Sequence, residues 1–159
     1  MPHPPRSLSM LCVFFAGALA LSASPAAARG PISEDTSRFG FAETITKLQA
    51  RFKASGWKVI TIHDLQASMK KQGHKVLPVK VLVVCHPRVA LKVLRDDAMR
   101  LAAAMMPCRV AVYTKKDGKT YISRADIGAL APKGSPLAQP MAAAVEGIEK
   151  ILRGLIIKR

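Results

Sequence analysis

Residues 79–94 read VKVLVVCHPRVALKVL, residues 95–106 read RDDAMRLAAAMM, and residues 107–113 read PCRVAVY. Two apolar, β-branched runs are thus joined by a segment of helical character. Such residues fit a pleated, half-buried surface, so each run reads as a strand. Cys85 closes the first run and Cys108 opens the second, and a proline stands close to each, in Cys85-His86-Pro87 and Pro107-Cys108-Arg109. Pro87 suits the first turn of a helix, where its missing N–H costs nothing. Val89, Ala90, Val93 and Leu94 then form that helix's inward face, which loosens near Asp96-Asp97. Pro107 disfavours helix at Met106. One compact domain offers a single sheet for both runs, so the expectation is that Cys85 and Cys108 meet in space, with His86 and Arg109 nearby.

Working outward, the same alternation of helix-period and strand-period segments continues. Phe41, Ile45, Leu48 and Phe52 recur at i, i+4, i+7 and i+11, an apolar stripe on one helical face. Gly56 stops that helix. Residues 57–63 (WKVITIH) follow as a strand after a tight corner, and Asp64 is placed to cap a short helix ended by Gly73. Pro78 puts the start of the residue 76–84 strand at an edge or bend. Asp117-Gly118 between two β-rich runs is a strong hairpin signal. Residues 131–136 (APKGSP) read as a linker, and Met141, Val145, Ile148, Leu152 and Leu155 mark a final amphipathic helix.

The first residues read as an address rather than as fold. Arg6 precedes an unbroken apolar run from Met10 to Leu21, and Ala26-Ala27-Ala28 fits a small-residue cleavage site. Twelve residues of helix reach about 18 Å, short of a bilayer core of about 30 Å. The expectation is a cleaved signal peptide over 1–28, a periplasmic or secreted product, and no transmembrane span after cleavage. A flexible mature N-terminus is expected over 29–37, an α+β domain over 38–130, and a linker with the C-terminal helix over 131–159. The expected fold is a single α+β domain with an antiparallel sheet of about four strands and helices packed on one face.

The chain has 159 residues and a formal net charge of +15. Its basic residues are scattered, with few aromatics among them to stack bases, which argues against nucleic acid. Loose attraction to an anionic envelope surface is the simpler consequence.

Three readings of the cysteine pair stay open. In an oxidising compartment a Cys85–Cys108 disulfide is the plain one, and closing this loop stabilises by about 3 kcal/mol on the chain-entropy model. A thiol site is the sharper one. There Arg109 and Arg88 lower a thiol pKa, and Cys85, Cys108, His86 and the Met105-Met106 thioethers suit a soft ion such as Cu(I) or Zn(II), or a thiol-reactive ligand. Inert buried thiols are the third. His74 reads as solvated and His63-Asp64 as a strand end before a cap. No zinc-protease, P-loop, nucleophile-elbow or dinucleotide motif occurs, and paired carboxylates are confined to Glu34-Asp35 and Asp96-Asp97. No catalytic residues are assigned and an enzyme is disfavoured, with thiol–disulfide chemistry the least favoured function.

In this order, Phe41-Ala42-Glu43-Thr44, the strand entering His63-Asp64, residues 82–87 (LVVCHP), and residues 106–113 (MPCRVAVY) before a Gly-containing hairpin resemble domain-of-unknown-function family 302. The resemblance covers about residues 37–126, and its most specific elements are Cys-x-Pro at 85–87 and Pro-Cys at 107–108. It implies a compact α+β domain of TATA-binding-protein-like topology and a homodimer, and it assigns no biochemical activity. His86 departs from the Asn frequent at that place in the family. The helix after Pro136 lies at or beyond the resemblance.

Overall fold

The structure is a computed structural model of the chain and describes residues 1, 31–132 and 134–157. The expected signal segment therefore lies outside the described residues. Among them no helix is long and apolar enough to cross a membrane.

The strands are β1 (Ile32–Ser37), β2 (Lys58–Asp64), β3 (Val79–Cys85), β4 (Cys108–Thr114), β5 (Thr120–Ala125) and β6 (Ile156–Ile157). The helices are α1 (Phe41–Ala54), α2 (Leu65–Lys71), α3 (Pro87–Leu94), α4 (Asp97–Arg100) and α5 (Ala138–Leu152). The strands form one antiparallel sheet in the order β2-β3-β4-β5-β1-β6. This is an α+β domain with six described strands, where about four were expected.

Local chemistry explains most boundaries. On α1 the apolar stripe buries Ile45, Leu48 and Phe52. After it the Trp57 N–H donates to the Phe52 carbonyl at 2.9 Å and the Gly56 N–H to the Lys53 carbonyl at 3.1 Å, with Gly56 at φ +76°. That is a Schellman ending, and it turns the chain straight into β2. The Asp64 carboxylate accepts from the Ala67 N–H at 2.8 Å and starts α2. Pro87 opens α3. The expected β4–β5 hairpin forms, with Gly118 at φ +75° and the Asp117 carboxylate accepting from the Lys119 N–H at 3.0 Å.

The register places Leu82 opposite Val110, Val84 opposite Cys108, and Val112 opposite Ile122. Leu82, Val84, Val110, Val112 and Ile122 point to one face, where they pack with Leu48 and Phe52 of α1 and Ala144, Ile148, Ile151 and Leu152 of α5. The helix–sheet core is therefore closed by α5, which belongs to the domain rather than to a C-terminal appendage. Arg51 ties the two helices by donating to the Ile151 carbonyl at 3.1 Å and to the Arg153 carbonyl. A cation at carbonyls left open by a helix end is favourable.

Three expectations need correction. Residues 32–37, expected as flexible, form β1 between β5 and β6. Their polar side chains are held from the far side of the sequence: Asp35 pairs with Arg124, and Glu34 with Lys115 and Tyr113. The final helix stops at Leu152; Gly154 at φ +78° turns the chain, Leu155 is fully buried and Ile156 joins β1. Leu94, expected inward, is exposed, because α3 turns Val89 and Val93 toward the core instead. Between α3 and β4, residues 97–105 divide into α4, capped by the Asp96 carboxylate on the Ala98 N–H at 2.9 Å, and a 3-10 turn, Leu101–Met105.

Candidate functional site

Strand pairing brings the two cysteines to the same end of β3 and β4. Val84 faces Cys108 across the ladder, and Cys85 is the next residue on β3. Both line one cavity of about 40 Å³, and among the described residues neither is bridged. Of the three readings of the pair, the bridged one is not seen: both thiols are free. The register offsets the cysteines by one position, so Val84 rather than Cys85 stands directly across the ladder from Cys108.

The cavity is walled by β3 and β4 on one side and by Val89, Ala90 and Val93 of α3 on another. Ala102, Met105 and Met106 close it from the 3-10 turn, and Pro140, Met141 and Ala144 from α5. Trp57, ordered by the end of α1, forms a further wall and meets His86 edge-on, with ring centroids 5.4 Å apart. The His86 Nδ1 is buried and has no hydrogen-bond partner among the described residues. Two thiols, this ring nitrogen and the sulfur of several methionines are thus the heteroatoms of an otherwise apolar lining.

Size and polarity limit what fits. One water needs about 10–15 Å³ of such space and several polar partners. A cavity of about 40 Å³ takes an ion or a molecule of a few atoms, whereas drug-sized ligands need about 300 Å³ or more.

Burial decides the state of the thiols. Desolvation pushes the Cys85 thiol above its ordinary pKa. Cys108 is pushed up first by burial and then by the neighbouring Cys85, and the Arg109 charge only partly opposes this. The expectation that arginines activate a thiolate is overturned. Arg109 faces Val83 on the ladder and is exposed, lining a groove with Val81, Ala111 and Ser123 that Cys108 also edges. Arg88 is exposed on α3. At neutral pH both thiols are protonated, poor nucleophiles in the absence of something that displaces their protons. Among the described residues no three His, Cys, Asp or Glu side chains gather as a metal-holding group. A tetrahedral zinc set of the usual kind is therefore not assembled here, and any soft-ion set has to draw on the methionines.

Trp57, Met141 and the α5 wall were not placed at the cysteine site from the sequence. The signal for Trp57 was its place directly after the helix-ending Gly56, which forces its ring back onto the helix–sheet seam. The α5 wall carried no local signal, because it arrives from 30 or more positions away in the chain.

Residues 33–155 match the family described as domain of unknown function DUF302. The chain belongs to this family. The match runs through α5, so that helix is part of the DUF302 domain and not an addition to it. Among solved structures, the chain is similar to the crystal structure of an uncharacterized conserved DUF302 protein from Bacillus stearothermophilus. The two share 23% identity with a TM-score of 0.69, over 79% of this chain and 98% of the other, a likeness of fold. No curated protein matches the sequence.

Proposed function

We propose that this DUF302 domain is a binding module for a single thiophilic ion, Cu(I), held by Cys85 and Cys108 with a methionine thioether. The observation that carries the reading is the small apolar cavity into which two unbridged cysteines and Met105, Met106 and Met141 converge. Thiolate and thioether donors suit soft metals, Cu(I) and zinc among them; two thiolates and a thioether fall short of the four-ligand set of a structural zinc, which favours Cu(I), and a space of this size suits one ion rather than an organic substrate. Binding displaces the thiol protons, so affinity falls as pH falls. His86 offers Nδ1 as a further donor or as a partner to a bound species. The export signal read in Arg6, Met10–Leu21 and Ala26–Ala28 makes the module an exported one. The test is anaerobic competition of reduced protein against a chromogenic Cu(I) chelator. One equivalent bound per chain, abolished by Cys85→Ser or Cys108→Ser, supports the reading; no competition, or competition untouched by both substitutions, rejects it.

A non-enzymatic homodimer is the second reading. It is favoured by Val81, Val83 and Ala111, which lie together on the face of the sheet turned away from the core. Sedimentation of the purified protein distinguishes it: a monomer at micromolar concentration rejects this alternative.

A further inference from the structure

The outer surface of α3 and of the 3-10 turn carries an unusual combination. Leu91, Leu94 and Leu101 are 59%, 42% and 70% exposed. Arg88, Leu91 and Arg95 follow at i, i+3 and i+7 and share one stripe of α3, with Lys92 beside it. Arg100 donates to the Leu94 carbonyl at 3.1 Å, which brings the turn carrying Leu101 against the end of α3. The patch's two carboxylates are occupied: Asp97 pairs with Arg100 at 2.8 Å, and Asp96 caps the Ala98 N–H. Single exposed leucines need no explanation, but leucines grouped among cations do.

We propose that this surface docks the domain on an anionic phospholipid membrane. Leucines enter the boundary between headgroups and acyl chains, while arginine and lysine stems lie along it with their charges at the phosphates. Charge complementarity picks the occupant. A second copy of this face would set arginine against arginine, and an acidic protein would leave the leucines without a depth of apolar medium to enter. The inner sides of the same elements, through Val93 and Met105, wall the cysteine cavity. Docking therefore brings that cavity to the membrane surface, whether or not it holds copper.

Flotation of the full chain with vesicles of phosphatidylcholine alone, or mixed with an equal part of phosphatidylglycerol, tests this. Each variant is compared with the parent, so apolar residues elsewhere contribute equally. The parent floats with the anionic vesicles, and high salt releases much of it. Replacing Leu91, Leu94 and Leu101 together by Ser lowers the partition at least about tenfold. Replacing Arg88, Lys92 and Arg95 by Gln lowers it about fivefold per charge removed. These side chains are exposed, and both variants keep the parent's melting temperature. A leucine variant that floats like the parent, indifference to lipid charge, or self-association through this patch without vesicle binding overturns the proposal.

Discussion

Gly147 lies on α5 where the helix crosses Trp57. A Cβ built there would be 2.9 Å from Trp57 Cζ2 and 3.5 Å from both Cε2 and Nε1. Carbon atoms pack best about 3.5–4.0 Å apart, so Gly147→Ala forces either the ring or the helix to move. Helix propensity argues the opposite way, because alanine in a helix interior is favoured over glycine by about 1 kcal/mol. Which effect wins depends on whether the indole can yield. Trp57 is only 5% exposed, wedged between Phe52, with ring centroids 5.8 Å apart, and His86. Overpacking such a site costs about 1–3 kcal/mol, and with two rings holding the third in place the upper half of that range applies. The expected net effect is a loss of about 1–2 kcal/mol. Urea unfolding followed by tryptophan fluorescence reads it cleanly, since the chain has one tryptophan. The native emission should shift as well, because the ring is pressed toward the cysteine cavity. Stabilisation of Gly147→Ala by about 1 kcal/mol, as propensity alone dictates, would refute the packing of α5 on Trp57 and with it one wall of the cavity.

The remaining predictions concern groups held by distant parts of the chain. Arg124, its side chain 4% exposed, bridges Asp35 of β1 and, at 2.6 Å, Glu149 of α5. Arg124→Ala leaves a largely buried carboxylate unpaired and should cost about 3 kcal/mol by urea unfolding; a cost below about 1 kcal/mol means the pair is solvated. Because burial raises both thiol pKa values, the unfolded chain releases these protons first. Stability should therefore decline as pH rises past the ordinary thiol value of about 8.5, and the Cys85→Ser, Cys108→Ser double variant should decline less. Equal slopes for parent and variant between neutral and alkaline pH rule this out. Burial and the hydrogen bond to Glu34 push the Tyr113 phenol up to about 12. Its contribution is full below the ordinary phenol value of about 10 and is lost as pH climbs to about 12. Spectrophotometric titration at the phenolate band, with Tyr113→Phe as control, should show one late-titrating tyrosine.

Elements whose boundaries are set within a few residues were legible in the sequence: α1 by its stripe and Gly56, α2 by Asp64, α3 by Pro87, and the β4–β5 turn by Asp117-Gly118. β1 was not, because Ser33, Glu34, Asp35 and Thr36 look like a solvated tail until Arg124, Tyr113 and Lys115 arrive to meet them. β6 was hidden for a related reason. Leu155 extends the helical period of α5, and only the turn at Gly154 separates the two. At the site, strand reading of residues 81–85 and 108–112 placed the cysteines at one end of neighbouring strands, as the ladder has them. It misjudged Arg109, which adjoins Cys108 in sequence but, by the alternation of a strand, belongs to the opposite face. It also misjudged the thiols' acidity, since burial is a property of the walls contributed by α3 and α5 and not of the residues beside each cysteine.

X-ray absorption at the copper edge, on reduced protein loaded anaerobically with one equivalent of Cu(I), tests the central claim most directly. Sulfur donors should dominate the shell in the parent, with at most one nitrogen, from His86, and the signal should lose sulfur in both Cys85→Ser and Cys108→Ser while the fold is retained. A shell of nitrogen and oxygen donors, or one unchanged when both cysteines are replaced, would place the metal elsewhere and contradict the assignment.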